Sequence, residues 1–273
     1  MPELPEVEVV RLSLIPRILE RRIDSVRVHS PGLREPFDRA ALEGLRNRKV
    51  VALRRRAKYL LIDLEGAQTL VIHLGMSGHL TVVAGQSELE RHEHLAFGLD
   101  TGQRLRLVDP RRFGLAFVRG TDTLDTDPHL VHLGIEPLEG ELDGAFLAGR
   151  AKGRRGPVKS FLMDGRVVVG VGNIYASEVL WLSRVHPKRS VARVSATTWE
   201  RLSTNIQEVL GRAIAEGGTT LADFRDGEGN SGYFQVSLSV YDREGQSCSR
   251  CDGTIRRIVQ TGRSTFYCPG CQR

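Results

Sequence analysis

Four cysteines, all within the last 26 residues, constrain this sequence more than any other feature. They form two pairs, Cys248-x2-Cys251 and Cys268-x2-Cys271, with sixteen residues between the pairs. This spacing is typical of a four-cysteine zinc site, in which each pair occupies a tight turn. Because four thiolates leave no position for water, the sequence predicts one structural zinc ion and argues against a zinc-dependent nuclease. Disulfide bonds are the alternative, and a reducing compartment disfavours them.

The segment between the two cysteine pairs, TIRRIVQTGRSTFY at 254–267, alternates as the two strands of a hairpin do. A β-hairpin closed by zinc is therefore predicted. It carries Arg256, Arg257 and Arg263, which suit either contact with DNA phosphates or a solvated face.

The charge balance favours a polyanionic partner. Lys and Arg number 39 against 33 Asp and Glu, which gives a net charge of +6, and the pI is about 9.4. This signal is weak alone, because many basic proteins never bind nucleic acid. No apolar run is long enough for a membrane span, and the acidic start does not resemble a signal peptide. We therefore expect a cytoplasmic protein with no membrane partner, associated with the nucleoid when it is bound to DNA.

The hydrophobic pattern predicts an α+β multidomain chain. A helix is predicted over 7–19, and seven short alternating runs follow between 49 and 118, as in an antiparallel sandwich or barrel. Beyond residue 130 the period becomes helical, with helices predicted over 173–184 and 198–216, and a strand-like run follows at 235–241. The predicted domains are a β-rich domain at 1–130, a helical domain at 131–237 and a zinc finger at 238–273.

The beginning of the chain can support covalent chemistry. Pro2 is a small residue after Met1, which permits removal of Met1 and leaves a secondary amine with a pKa of about 8. Attack of this amine on a sugar C1′ gives a cationic iminium, and Glu3 can manage the protons. Glu6, one helical turn further on, can face the same pocket. On these residues alone, a plain acidic helix start is the simpler interpretation.

A family resemblance favours the catalytic interpretation. Six motifs, in order along the whole chain, resemble those of formamidopyrimidine-DNA glycosylases. They are PELPEVE (2–8), RAKYL (56–60), HLGMSG (73–78), DPRRFG (109–114), VGVGNIYASE (169–178) and the cysteine module. The resemblance implies an N-terminal β-sandwich with flanking helices, a helical helix-two-turns-helix domain and a C-terminal zinc-finger β-hairpin. It also places a base-capping loop at 223–233.

The resemblance implies roles residue by residue. Pro2 is the Schiff-base nucleophile, Glu3 the general acid/base, and Lys58 and Arg263 hold phosphates and assist elimination. Lesion recognition is expected of Glu6. DNA contacts are expected of His92, of Arg154 in a basic cluster, of Asn173 as a helix cap beside a phosphate, and of a wedge formed by Met76, Arg111 and Phe113, which fills the gap left by a flipped base.

The implied activity is base-excision repair of oxidised purines in damaged double-stranded DNA, with AP lyase strand cleavage by β,δ-elimination. A monomer without a nucleotide cofactor is expected. Two alternatives stay open. One is an enzyme similar to endonuclease VIII, which acts on oxidised pyrimidines, and the other is a non-catalytic zinc protein that binds damaged DNA.

Overall fold

The computed structural model describes residues 2–218 and 238–273. Within these residues the chain forms two compact units, one of 2–131 with Gly217 and Gly218, the other of 132–216 with 238–273. The three-domain division with boundaries at 130 and 237 stays a prediction. The predicted base-capping loop at 223–233 lies outside the described residues.

The first unit contains two four-stranded antiparallel sheets with the strand orders β1-β6-β7-β5 and β2-β3-β4-β8. Strands β2 to β8 match the seven predicted runs, whereas the sequence pattern does not predict β1. The elements in chain order are α1 (Leu4–Ile18), β1 (Ile23–Val28), α2 (Arg39–Glu43), β2 (Val50–Arg56), β3 (Tyr59–Leu64), β4 (Gln68–His73), β5 (His79–Ala84), β6 (Glu93–Leu99), β7 (Gln103–Val108) and β8 (Leu115–Gly120).

Both sheets and helix α1 share one hydrophobic core. Apolar side chains on alternate positions of the strands pack with one face of α1, which contributes Val7, Val10, Leu14 and Ile18. This placement of alternate residues in a core shared by two sheets is what a β-sandwich requires, and it confirms the predicted fold of this part of the chain. Helix α1 begins three residues before the predicted start, because carboxylates at its N-terminus cap it, as described below.

The second unit is helical and ends in a hairpin. Its elements are α3 (Gly144–Ala151), α4 (Val158–Leu162), α5 (Asn173–Leu182), α6 (Ala196–Ala215), β9 (Arg256–Gln260) and β10 (Arg263–Tyr267). Helix α6 is capped by Ser195, whose Oγ accepts a hydrogen bond from the Thr198 N–H at 3.2 Å. Strands β9 and β10 are joined by Thr261 and Gly262, both with positive φ, as in the tight turns that match strand twist. The predicted hairpin is therefore confirmed.

The last part of the chain packs on helix α5. Trp181 of α5 lies in an apolar cluster with Val240, Ile255 and Phe266. The carboxylate of Glu178, also on α5, accepts the backbone N–H groups of three consecutive residues at 2.8, 2.9 and 2.9 Å, those of Ser239, Val240 and Tyr241. This binding turns the backbone around one carboxylate, so the strand predicted over 235–241 is wrong for its described part, 238–241. No described helix is long and apolar enough to cross a membrane.

Candidate functional site

The N-terminal segment is buried and held by its own carboxylates. Pro2 is buried, and Glu3 and Glu6 are only 1% and 0% exposed. Glu6 Oε2 accepts a hydrogen bond from the Glu3 backbone N–H at 2.7 Å. The Glu3 side chain accepts in return from the Glu6 backbone, which completes a capping box at the start of α1. The residue next to the predicted nucleophile therefore has a fixed position.

A third acidic residue, Glu8, connects α1 to the hairpin that carries Lys58. Its carboxylate accepts from Arg11 and from Arg55 Nε, the latter at 3.1 Å, and Arg55 Nη1 donates to the Ala57 carbonyl at 3.1 Å. Burial alone would raise the pKa of Glu8, but its hydrogen bonds and charge interactions with the two arginines outweigh burial and lower it. Glu8 is therefore an anion that fixes the β2–β3 turn against α1.

Lys58 lies in this two-residue turn, half-buried, beside Ala57 with its positive φ of 54°. Burial and then the positive charges of Arg34 and Lys58 lower the pKa of His73 to about 4. His73 is consequently neutral at physiological pH, and its Nδ1 accepts the Gly75 N–H at 3.0 Å. The structure thus places Lys58 near the turn that contains Met76.

The three predicted wedge residues project from two neighbouring turns. Met76 and Phe113 are 37% and 45% exposed, unusually high for large apolar side chains, and the Arg111 guanidinium carbon lies 4.8 Å from the centre of the Phe113 ring. The two turns touch through their backbones, since a Cβ at Gly75 would lie 2.5 Å from the Gly114 nitrogen. His92 is exposed on an adjacent turn.

Asn173 does not cap its helix, so that part of the prediction is wrong. Gly172 is the cap residue, and Asn173 is the first residue of α5. Its side chain is used elsewhere: Oδ1 accepts from Lys159 Nζ at 2.7 Å, and Nδ2 donates to the Ser264 carbonyl at 2.9 Å. Lys159 also donates to Thr265 Oγ1 at 2.7 Å. These bonds connect the start of α5 to the strand that begins at Arg263.

The two predicted phosphate-binding arginines of the second unit differ in their surroundings. Arg154 donates to Asp164 at 3.0 Å and lies over the Phe161 ring, so its side chain is held in place. Arg263 is exposed at the start of β10, and it forms no ion pair with any described residue. It is therefore available to an anion.

The four cysteines form a site for one structural zinc ion. Their sulfur atoms all lie within 4.8 Å of one another, with Cys251 to Cys268 at 3.4 Å and Cys248 to Cys271 at 3.8 Å. A tetrahedral ion with zinc–sulfur bonds of about 2.3 Å needs sulfur atoms roughly 3.8 Å apart. Trp181 Nε1 also donates to Cys248 Sγ at 3.4 Å, a contact of the kind that orients a thiolate ligand.

Sequence reasoning missed three side chains that organise these sites. Glu8 and Asp109 lie inside motifs that the sequence analysis singled out, but their partners are distant in sequence, Arg55 for Glu8 and Ser77 for Asp109. Lys159 is 3% exposed, and a lysine so deeply buried is rare without partners. Its position in a short helix whose other residues are mostly apolar, VKSFL at 158–162, was the available signal.

Comparison with known proteins covers nearly the whole chain. Residues 1–116 match the profile of the formamidopyrimidine-DNA glycosylase N-terminal domain, and 133–225 match that of the formamidopyrimidine-DNA glycosylase H2TH domain. Residues 245–273 match the zinc finger found in FPG and IleRS. The formamidopyrimidine-DNA glycosylases of Alcanivorax borkumensis and Ruegeria pomeroyi are 49% and 45% identical to this chain, with both chains covered completely in each case.

Solved structures agree with this assignment. The Fpg protein of Lactococcus lactis bound to DNA containing N7-benzyl-Fapy-dG superposes with a TM-score of 0.92 at 32% identity, with 100% of both chains covered. The same enzyme bound to DNA containing an oxidised pyrimidine gives 0.91 at 31% identity, again over 100% of both chains. Sequence and structure therefore show that this chain belongs to the formamidopyrimidine-DNA glycosylase family.

Proposed function

We propose that this protein removes oxidised purines, namely 8-oxoguanine and formamidopyrimidines, from duplex DNA and then cleaves the strand at the resulting abasic site. The observation that carries the proposal is the N-terminal segment: in a chain that aligns with a family member over its whole length, Pro2 precedes a buried Glu3 whose N–H is bonded to Glu6. A secondary amine beside an ordered carboxylate is the arrangement that covalent excision requires.

Excision begins with the Pro2 nitrogen, once Met1 is removed. The nitrogen forms a bond to C1′ of the damaged nucleotide while the bond from C1′ to the base breaks, and the base leaves with the proton that the amine gives up. The nitrogen lone pair then opens the sugar ring as O4′ takes a proton from Glu3. The product is a positively charged iminium between Pro2 and C1′. Its formation involves no oxidation or reduction.

Strand cleavage follows from the same intermediate. The iminium withdraws electrons, so the C2′ proton is lost and the 3′ phosphate leaves, and a second elimination releases the 5′ phosphate. We assign Lys58 to proton transfer and phosphate contact in the first unit. Arg263, exposed and without an ion pair among the described residues, is assigned to the phosphates beside the lesion.

DNA opening is assigned to the exposed side chains of Met76, Arg111 and Phe113. A flipped base leaves a gap in the duplex, and a flexible apolar chain, a guanidinium and an aromatic ring can fill it. His92, Arg154 and Asn173 are assigned to the DNA backbone, and Glu6 to the lesion pocket. We propose that the protein acts as a monomer in the cytoplasm, at the nucleoid.

Borohydride trapping tests the proposal. The protein is incubated with a duplex carrying 8-oxoguanine opposite cytosine, the iminium is reduced, and mass spectrometry locates the adduct. A covalent complex at Pro2 is expected. Trapping at another residue overturns the mechanism, and tight binding without trapping on either an 8-oxoguanine or a formamidopyrimidine duplex favours a non-catalytic damage binder.

A second candidate substrate has a specific observation in its favour. The structurally similar Lactococcus lactis enzyme has been solved with DNA that contains an oxidised pyrimidine. The trapping experiment therefore includes a duplex with an oxidised pyrimidine as a separate arm. Trapping on that duplex alone would favour the activity of an endonuclease VIII-like enzyme.

A further inference from the structure

One fully buried carboxylate lies among the turns that carry the proposed wedge. Asp109 is 0% exposed and directly follows strand β7. Its Oδ1 accepts from Ser77 Oγ at 2.9 Å and from the Arg111 N–H at 3.3 Å, and its Oδ2 accepts from the Gly114 N–H at 2.7 Å. Ser77 is next to Met76, and Gly114 is next to Phe113. A single carboxylate therefore bonds both turns that present the wedge.

The backbone of Asp109 adds a third turn. Its N–H donates to the carbonyl of His92 at 3.0 Å, and His92 has a positive φ of 67°. The Asp109 carbonyl accepts from the Arg112 N–H at 3.2 Å and lies 2.9 Å from His94 Nε2. Nε2 donates in this contact, because a carbonyl oxygen can only accept. Burial is the main cause of a lowered pKa at His94. The carboxylate, the N–H and the carbonyl of Asp109 thus all form hydrogen bonds, and most of their partners lie in the turns that carry the proposed DNA contacts.

We propose that Asp109 is a positioning residue that holds Met76, Arg111 and Phe113 as one preformed wedge, so that the three side chains enter the duplex together. This inference rests on the proposed function. It adds a residue that does not touch DNA itself. We expect its effect on the step that opens the duplex, because the N–H of Glu3, next to Pro2, is bonded to Glu6 and not to Asp109.

The backbone of the two turns sets the positions of the wedge side chains. Met76 and Phe113 are exposed, and the cation–π contact of Phe113 is with Arg111 of the wedge itself, so the position of the wedge as a whole depends on the backbone of the two turns. Gly75, with φ of 67°, permits those backbones to touch, but contact between glycines provides no directional bond. Hydrogen bonds to a carboxylate are roughly twice as strong as those between neutral groups, and here they cross from one turn to the other.

The test compares two isosteric substitutions. In Asp109→Asn, one carboxylate oxygen becomes an NH2 group that must face either the Gly114 N–H or the Arg111 N–H, and both of these groups can only donate, so at least one bond is lost. The matched control is Asp63→Asn, which alters another buried aspartate of the same unit, 7% exposed and bonded to Arg54 and Thr69 instead of to the wedge turns. A second variant, Ser77→Ala, removes only the bond to the Met76 turn.

Three quantities are measured under single-turnover conditions: excision of 8-oxoguanine, cleavage at a preformed abasic site, and the fluorescence of 2-aminopurine beside the lesion, which reports duplex opening. For Asp109→Asn we expect excision and opening to slow by about thirtyfold and abasic cleavage to change by less than about threefold. For Ser77→Ala we expect opening to slow by about threefold. Asp63→Asn is expected to leave the ratio of excision to abasic cleavage unchanged.

Equal losses on both substrates, or an unchanged opening signal in Asp109→Asn, would overturn the role of Asp109. So would an Asp63→Asn variant that reproduces the Asp109→Asn ratio, since the effect would then be general instability. The opening signal does not need base excision. A wild-type protein that opens the duplex without excising the base would contradict the proposed function, while slower opening in Asp109→Asn would still support the positioning role.

Discussion

The two ends of the chain are fixed by different chemistry. At the N-terminus, Glu3 and Glu6 hold each other through backbone N–H groups, and the group they surround is proposed to react. At the C-terminus, four thiolates and a structural metal ion hold a hairpin whose exposed arginine is proposed to bind phosphate. The two ends should therefore respond differently to damage. Damage at the first end should stop chemistry and spare binding, and damage at the second should weaken binding.

The largest effect is expected from changing the nucleophile. Pro2→Gly replaces a secondary amine with a primary one, and we expect excision to slow at least about a hundredfold while affinity for an abasic-site duplex changes less than about threefold. Single-turnover excision and fluorescence anisotropy measure the two quantities. Pro5→Ala is the matched control, because it removes a proline from the same helix start without altering the amine. Normal excision by Pro2→Gly would contradict the role of Pro2 as the nucleophile.

Loss of the metal site should give the opposite pattern. Cys268→Ser removes a buried ligand, and we expect zinc content to fall and DNA affinity to weaken by about tenfold or more, because the hairpin that carries Arg263 loses its closure. Metal analysis and anisotropy measure these changes. Ser249→Ala, within the same cysteine pair but not a ligand, should change neither. Weaker binding with zinc fully retained would contradict a structural role for the metal.

The same contrast explains what the sequence could predict. The cysteine site was predictable because its ligands repeat at a fixed spacing. The strands were predictable because short apolar runs recur between 49 and 118, and alternate residues of β3 to β8 join the shared core. The start of α1 was misplaced because glutamate is an uncommon cap residue, so the pair Glu3 and Glu6 gave no strong helix signal. Asn173 was wrongly expected to cap α5 because its actual partner, Ser264, is 91 residues away.

Long-range polar contacts were the main part that could not be predicted. Nothing in the local pattern pairs Asp109 with Ser77, 32 residues apart, or Arg55 with Glu8, 47 residues apart. Such pairs depend on which strands become neighbours, and the hydrophobic period predicts strands but not their order. The residues expected to touch DNA were named from the family resemblance, whereas the residues that position them became visible only in the fold.

A smaller effect tests how firmly the N-terminus is held. Glu6→Ala leaves the buried Glu3 N–H without its acceptor, and we expect the free energy of unfolding to fall by about 1 to 2 kcal/mol. Urea denaturation at an unchanged m-value measures this. Glu6→Gln keeps an acceptor oxygen and should lose less. If both variants were as stable as the wild type, the capping box would not be what orders Glu3.

The smallest expected effect is a pH dependence confined to the N-terminal end. Burial would raise the pKa of Glu8, but Arg11 and Arg55 outweigh it, so the folded-state pKa lies below the ordinary value of 4.5. A carboxyl whose pKa is lowered by folding stabilises the protein above its unfolded-state pKa, and that stabilisation is lost as the pH falls through the folded-state pKa. Glu8→Gln should therefore be less stable than the wild type by about 1 kcal/mol at pH 7, and this difference in stability should disappear only below about pH 4.5.

Denaturation at a series of pH values checks this, with Glu43→Gln as the control, because the exposed Glu43 forms no ion pair with a described residue. A gap that stays constant down to pH 3 would mean that Glu8 acts by packing alone, and the ionic connection between α1 and the Lys58 turn would have to be abandoned.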